Sequence, residues 1–520
     1  MSKLKIPSIL NKIFSIIFFT VFAMLFVLII DVGYQNESDV NVLHCSPEQQ
    51  VEIVFTMLLM FSAFVLIYLI YNRIQDHSKL SRINNIKEYI PLLILIVCAF
   101  MFALQLAFGY LLASKPVTDV NIVNGFAASF AENGNFDLIK SDYMDHYMIK
   151  YQNNFAYLFI LSSLYRISYL LTGSISVYLP IILNTFAINL SVVLTVFLSR
   201  RLFGDRKALF TLFLCLIFAP FYTYTAYYYT DSLSMPFLIG SLYLFVYAFD
   251  CRKKSKKYLL TALCGGLLFL SFKLKGSIII LLVAMLIYIV LKLSLKRAAA
   301  LALSLVMGFM MVCTMYTTAF NRAGIVPFEM SEKYQYPYTH WLMIGLKGNG
   351  NYNKQDSRYT HSFSNKELKT IANIDKIKNR VDEFGVKGMI KHLAKKAIWT
   401  WKDGTYYISH HIENPLHKNI LHDYILINGP NSFIFFAYSC AFQLFLILMM
   451  TISAFKAIKN PKLNFMTLLR LIVFGAFLFF LVWETRSRYL YNMTPLFIIL
   501  SIDGLSYFCN GIRKKLSRSA

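Results

Sequence analysis

Ile90 to Leu112 and Val177 to Ser199 each run for about 20 residues without a charged side chain, long enough as helices to cross about 30 Å of hydrocarbon. Similar stretches follow one another along the chain. With 57% of its 520 residues hydrophobic and 15% charged, the chain carries more apolar surface than one water-soluble core buries. The expected fold class is an all-α membrane protein, a polytopic bundle of about twelve (11 to 13) transmembrane helices with two large external loops.

The formal charge of +24 is not a nucleic-acid signature here, because lysine and arginine cluster in short segments between apolar runs. That is the positive-inside pattern, and basic charge beside an anionic membrane surface needs no nucleic-acid partner. Cys98, Cys215, Cys264, Cys313 and Cys440 fall inside apolar runs, and none has metal-ligand spacing, so neither a disulfide framework nor a zinc site is predicted. The run from about Leu10 to Ile30 follows Lys3, Lys5 and Lys12, but it is too long for a signal peptide and lacks a small-residue cleavage site. It reads as a retained helix with a cytoplasmic start.

Spans are predicted at about 10–30, 51–71, 90–112, 177–199, 208–224, 234–250, 257–272, 277–293, 298–318, 432–454, 465–483 and 490–509. Both termini and the basic segment Asn72 to Tyr89 are then cytoplasmic, and the segments 113–176 and 321–430 are external. Phe155 to Gly173 is apolar enough for a span, but a crossing there would put Arg200, Arg201, Arg252 to Lys257, Lys292 to Arg297, Lys456 to Lys462 and Arg513 to Arg518 outside. Ser162, Arg166, Tyr169 and Gly173 share one helical face, so an amphipathic helix in the outer interface is expected instead. The division that follows is an N-terminal hairpin 1–89, a core 90–320 with its external loop, an external cap 321–430 and C-terminal helices 431–520. Within the cap, Phe384 to Trp401 reads as a basic amphipathic helix, and whether Asn36 to Gln50 folds over the site is left open.

Three acids fall outside the bilayer within a few residues of its boundary: Asp119, Asp231 and Glu484. Ionisable groups at that depth are costly and usually have a task. Asp119 precedes a helical pattern, Val120, Val123, Ala127 and Phe130, closed by Gly134, and so reads either as a helix cap or as a base facing a cleft. Asp231, in Tyr-Tyr-Tyr-Thr-Asp-Ser, has the same two readings, while Tyr227 to Tyr229 are an interfacial belt or a stacking surface for a sugar. In Trp-Glu-Thr-Arg-Ser-Arg-Tyr, 483–489, two external arginines run against the charge rule. Their planar forks suit phosphate oxygens, so Arg486 and Arg488 form a candidate anion site with Glu484 orienting one of them; the alternative is an ion pair between two helices. Lys273 and Lys275 are a second external basic point.

In order and side of the membrane these segments resemble the polytopic glycosyltransferases of the C-type fold (GT-C), which include protein O-mannosyltransferases and aminoarabinose transferases. Lys-Pro-Val-Thr-Asp with Glu-Asn-Gly-Asn resembles the family's first external loop and Tyr-Thr-Asp-Ser (229–232) its second acidic motif, while Tyr-Gln-Asn-Asn-Phe (151–155), Thr-His-Trp-Leu (339–342) and Glu-Thr-Arg-Ser-Arg-Tyr (484–489) are similar to motifs of its Gram-positive, cell-wall relatives. Asp119 is followed by Val where many relatives have a second acid, and two helices precede the loop where one is usual.

The resemblance implies sugar transfer from a polyprenyl-phosphate donor, at an extracytoplasmic site, to a glycan or glycopolymer such as a wall polysaccharide or teichoic acid. It makes Asp119 the base, Asp231 and Glu484 a second acidic site, and Arg486, Arg488, Lys273 and Lys275 the phosphate ligands. Tyr151, Asn153, Asn154, Tyr229, His340, Trp341 and Tyr489 then line the substrates. No divalent metal is required, although the three acids together are a candidate site for one. The rival readings are a flippase or transporter of a lipid-linked saccharide, and a non-catalytic scaffold for envelope assembly. The absence of a visible internal repeat and of charges at mid-membrane disfavours the transporter.

Overall fold

A computed structural model describes residues 5–34, 43, 45–77 and 84–519. Most of the segment Asn36 to Gln50 and part of the basic segment Asn72 to Tyr89 lie outside the described residues, as does Lys3. The chain is a polytopic all-α membrane protein: eleven described helices are long and apolar enough to cross a bilayer, or twelve if one bent pair counts as a span.

The long helices are α1 (Lys5–Val32), α2 (Pro47–His77), α3 (Asn84–Leu111), α4 (Thr118–Asn133), α5 (Phe155–Thr172), α6 (Tyr178–Phe203), α7 (Asp205–Ile217) and α8 (Thr230–Asp250). They continue with α9 (Lys254–Leu274), α10 (Ile279–Lys292), α11 (Leu295–Arg322), α12 (Lys366–Trp401), α13 (Ser432–Lys459), α14 (Phe465–Val482) and α15 (Thr494–Ser519). In the most apolar window of α8, of α13 and of the span ending in α15, 72% of residues are buried, against 22–28% in α1, α2, α3 and α11. The first group is the centre of the bundle and the second its lipid-facing rim. Because lipid is as apolar as leucine, close backbone approach rather than apolar burial joins rim to centre. At Gly265 of α9 an added Cβ would strike the Leu305 carbonyl, and at Gly308 of α11 the Ala262 carbonyl.

The span predicted at 277–293 is found as the apolar helix Gly276–Lys292, shorter than the other spans. Two sequence expectations need correction. The span predicted at 208–224 is broken, with a bend of 62° between Asp205–Ile217 and Pro220–Ala226: the first helix ends at Phe218, which is extended at ψ 95°, and Pro220 starts a new turn. The basic helix predicted over 384–401 is the second half of α12, a 36-residue helix that kinks at Gly385, where φ is 54°. In addition, α1 and α2 each pack on α13, and Gln50 at the start of α2 donates to the Ile30 and Asp31 carbonyls at the end of α1.

The segment Gln152–Thr172, containing α5, has the length and hydropathy of a span. Its start is tied to the 227–231 region by the Tyr157 hydroxyl, which donates to the Tyr228 carbonyl at 2.7 Å. Its end, closed by Gly173 in a left-handed conformation, stands five residues before Tyr178, whose ring stacks on Tyr110 at the end of α3. Those five residues reach about 20 Å, less than the hydrocarbon thickness, so both ends of α5 lie at one end of the bundle. The face predicted from Ser162 and Arg166 is turned toward α4: Ser162 is buried, and Arg166 Nη1 donates to the Ala131 carbonyl at 2.6 Å.

Basic segments gather at the other end, where Arg201 pairs with Asp250 at 2.8 Å, Lys292 donates to the Leu463 carbonyl and Lys456 pairs with Asp503 at 2.6 Å. The cap residues are held by their own buried network: Arg380 bonds Asp356 through both terminal nitrogens, at 3.0 and 2.7 Å, and also donates to the Met343 carbonyl. Both side chains are at most 9% exposed. Arg380→Met therefore leaves the buried Asp356 carboxylate with only the long Lys347 contact, at 3.8 Å, and is expected to destabilise the cap by about 3 kcal/mol. In detergent the variant should melt earlier and be cut within 346–383 by a protease that leaves the wild type intact; an unchanged melting curve contradicts this.

Candidate functional site

The end of the bundle away from the basic segments collects the start of α4, the start of α8, the end of α9 and the turn from α14 to α15. Asp119 is the second residue of α4, whose cap position is Val117, and no side chain caps that helix. Asp231 is likewise the second residue of α8, capped by Tyr229 without a side-chain bond. Neither carboxylate is a helix cap. Asp119 faces Arg488, with Oδ2 3.8 Å from Nη2, while Asp231 Oδ1 lies 2.5 Å from Lys275 Nζ.

Exposure separates these groups. The side chains of Asp231, Lys275 and Arg488 are 1%, 13% and 8% exposed, whereas that of Asp119 is 40% exposed. Asp119 is therefore the carboxylate open to an incoming molecule, set against a buried guanidinium.

Arg488 is held by aromatic groups. Its Nη1 donates to the Tyr227 hydroxyl at 2.7 Å, and its guanidinium lies 5.1 Å from the Tyr229 ring and 5.3 Å from the Tyr489 ring. Lys275 sits over Tyr489 at 4.0 Å, and the Tyr489 hydroxyl donates to Glu484 Oε1 at 2.9 Å. Burial pushes Glu484 above the usual carboxylate range, opposed by the Tyr489 bond and by the charges of Arg486 and Arg488. Lys275 is lowered by burial, an effect the Asp231 charge opposes. Tyr147 is raised well above the usual phenol range by burial and by the negative charge of Asp119, which places it on the same cluster.

Tyr227, Tyr228 and Tyr229 are each at most 5% exposed, which corrects their reading as a lipid-interface belt. Their hydroxyls find protein partners inside, Tyr228 at Asn124 and Tyr229 at Asn154, both 3.4 Å away. Asn154 also donates to the Tyr147 hydroxyl at 3.0 Å, while Asn153 is exposed. Tyr151 packs between Tyr147, Tyr336 and Trp341. Trp341 stacks on Trp483 with planes within 6°, and its carbonyl accepts from the Glu484 backbone, so it borders the site.

Two candidates fall elsewhere. His340 is 1% exposed with Nδ1 2.7 Å from Thr360 Oγ1, and burial pushes it down to about 3; it is part of the cap interior and lines no opening. Lys273 lies over Tyr316 of α11 at 4.6 Å, one helix face away from Lys275. Nor do Asp119, Asp231 and Glu484 form a metal cage: among the described residues no three His, Cys, Asp or Glu side chains are placed to hold a metal ion. Each acid is turned to a partner of its own instead.

Sequence reasoning missed the 402–411 segment. Asp403 Oδ1 accepts from the Thr405 backbone and hydroxyl at 2.8 and 2.6 Å, and Oδ2 from the Tyr407 backbone at 2.9 Å and Ser487 Oγ at 2.7 Å. The clasp holds Tyr406 and Tyr407 at φ 54° and 66°, uncommon for bulky residues, and seats the Tyr407 ring 4.9 Å from the Arg486 guanidinium. Lys396 was missed too: it is fully buried, donates to the Gly345 carbonyl at 2.8 Å, and is pushed down to about 7 by burial, against the pull of Glu484. The turn signal Asp-Gly-Thr at 403–405 was available, but nothing local to it points to residue 487.

A family model described as a conserved hypothetical integral membrane protein matches residues 6–506. The chain belongs to that family. No curated protein matches this member. Solved structures similar to it include an oligosaccharyltransferase of Archaeoglobus fulgidus in the apo form, at 12% identity and TM-score 0.45 over 84% of this chain and 52% of that one. AglB of the same organism, in complex with an inhibitory peptide and a dolichol-phosphate, overlaps at 12% identity and TM-score 0.42 over 83% and 52%. ArnT from Cupriavidus metallidurans, bound to undecaprenyl phosphate, overlaps at 13% identity and TM-score 0.34 over 77% of each chain. The family member spans about half the length of the archaeal chains.

Proposed function

We propose that this family member is a membrane glycosyltransferase of the GT-C kind, moving a sugar from a polyprenyl-phosphate donor to a hydroxyl of an extracytoplasmic glycan, such as a wall polysaccharide or teichoic acid of a Gram-positive cell. The observation that carries the reading is the open carboxylate of Asp119 against the buried Arg488, 3.8 Å apart, with Lys275 and Arg486 in the same cluster. The motif resemblance supports it.

In the reaction the acceptor oxygen attacks the anomeric carbon as the bond from that carbon to the phosphate oxygen breaks. Asp119 takes the acceptor proton, a role for which it must be ionised. The electron pair of the broken bond leaves on the lipid phosphate, whose charge Arg488, Arg486 and Lys275 stabilise from fixed positions in a site of low dielectric. Asp231 holds Lys275, and Glu484 holds Tyr489 beneath it. The exposed Asn153 and the Trp341–Trp483 pair flank the acceptor side. The first two helices precede this machinery, and both termini lie in the cytoplasm under the same proposal.

The test compares membranes with and without the chain, each given a radiolabelled mixture of polyprenyl-phosphate sugars. Label entering cell-wall material only when the chain is present supports transfer. Equal incorporation in both contradicts it.

A further inference from the structure

His411 has no task in the reaction as drawn, yet it is built into the same cluster. It closes the turn Ile408–His411 and is 3% exposed. Neither Nδ1 nor Nε2 has a hydrogen-bond partner. The imidazole lies flat on the Tyr227 ring, centroids 3.8 Å apart and planes within 4°, and the Tyr227 hydroxyl is the group that accepts from Arg488. Tyr407, the ring beneath Arg486, stands edge-on to it at 5.6 Å, and His410 is at the same distance.

Burying an imidazole with both nitrogens unsatisfied is costly. Such groups call for a specific explanation, and a ligand that supplies the missing partner is one. The charges that bear on His411 are positive: Arg488, His410 when protonated, and Arg486; the nearby carboxylates are turned to those cations, Glu413 to His410 at 3.1 Å and Asp119 to Arg488 at 3.8 Å, and the facing rings of Tyr227 and Tyr407 are neutral.

We propose that His411 is a hydrogen-bond donor to the phosphate bound by Arg486 and Arg488, taking up one proton as that phosphate arrives. The proposal rests on the proposed function, in which the donor is a singly charged phosphodiester and the leaving polyprenyl phosphate is the monoester that carries nearly two negative charges in this site. Burial, then the charges of Arg488, His410 and Arg486, hold the imidazole well below its usual range, so the empty site keeps it neutral. A phosphate carrying nearly two negative charges reverses that field, and the protonated ring then gains both a partner and an opposite charge. Since the bound state holds one more proton, affinity rises as pH falls through the window between the free and the bound titration points. Above that window His411 contributes no pH dependence.

The test is isothermal titration of the full chain in detergent, in two buffers of different ionisation enthalpy, with undecaprenyl phosphate and, separately, inorganic phosphate. The second ionisation of each phosphate probe is common to every protein compared and cancels in the difference. The wild type is expected to take up nearly one proton more per phosphate than His411→Gln. Its affinity relative to the variant should fall by up to about tenfold for each pH unit raised within the window. His411→Asn serves as a second variant if the glutamine chain does not fold. Binding of undecaprenyl phosphate alone assigns the site to the lipid headgroup; binding of both assigns it to phosphate in general, and either supports the proposal when the proton difference is present. Equal proton uptake in wild type and variants, with phosphate still bound, overturns the role of His411 and leaves sugar transfer standing. No binding of either probe by the wild type overturns both.

Discussion

Asp119→Asn is expected to lower sugar transfer by about 10²–10⁴-fold, the contribution of a positioned general base. The fold should tolerate it. Asp119 caps no helix, and among the described residues its ion-pair contact is a long one to Arg488, at 3.8 Å. An asparagine still reaches Arg488 and Tyr147, so the melting curve and the donor affinity are expected to stay close to wild type while the rate collapses. That split, turnover lost and binding kept, is the mark of a group acting on the transition state. Turnover within about threefold of wild type removes the role of Asp119 as base.

Arg488→Lys is expected to cost about 10²–10³-fold in kcat/KM for the donor, the scale seen when one preorganised donor to a developing oxyanion is lost. Charge is retained, so the loss measures geometry. The guanidinium uses Nη1 for Tyr227 while Nη2 points to Asp119, and its plane lies between the rings of Tyr229 and Tyr489. An ammonium presents no such fork. Arg488→Ala is less informative, because it strips Tyr227 and the neighbouring acids of their cation and so tests folding as well. If the lysine variant keeps full kcat/KM, Arg488 is an interhelical tie rather than a phosphate ligand.

The membrane class was legible from uncharged runs alone, since only helices satisfy their backbone bonds inside a bilayer. The start of α4 was legible too, from Val120, Val123 and Ala127 on one face and Gly134, at φ 73°, closing it. Breaks were harder to see. Pro220 interrupts an apolar run that a hydropathy window reads straight through, and the window also misses that α5 turns back within five residues of its end.

At the site, Asp119, Asp231 and Glu484 stand out because charge beside a membrane boundary is expensive, and Arg486, Arg488 and Lys275 because external basic residues run against the charge rule; the structure gathers all six into one cluster. The same rule misled at Lys273, which satisfies its charge against the Tyr316 ring. What stayed hidden was what has no charge signature or depends on distant contact. Tyr227 looks like any interfacial tyrosine until Arg488, 261 residues away, is seen to donate to it. His411 sits in a buried loop whose partners are Tyr227 and Tyr407, and no local spacing links them.

The most direct measurement is the fate of the donor in proteoliposomes holding the purified chain, a doubly labelled polyprenyl-phosphate sugar and a glycopolymer acceptor. One polyprenyl phosphate released for each sugar gained by the acceptor, in wild type and not in Asp119→Asn, is the predicted result. Sugar that crosses the bilayer while still attached to its lipid would contradict transfer and make the chain a transporter.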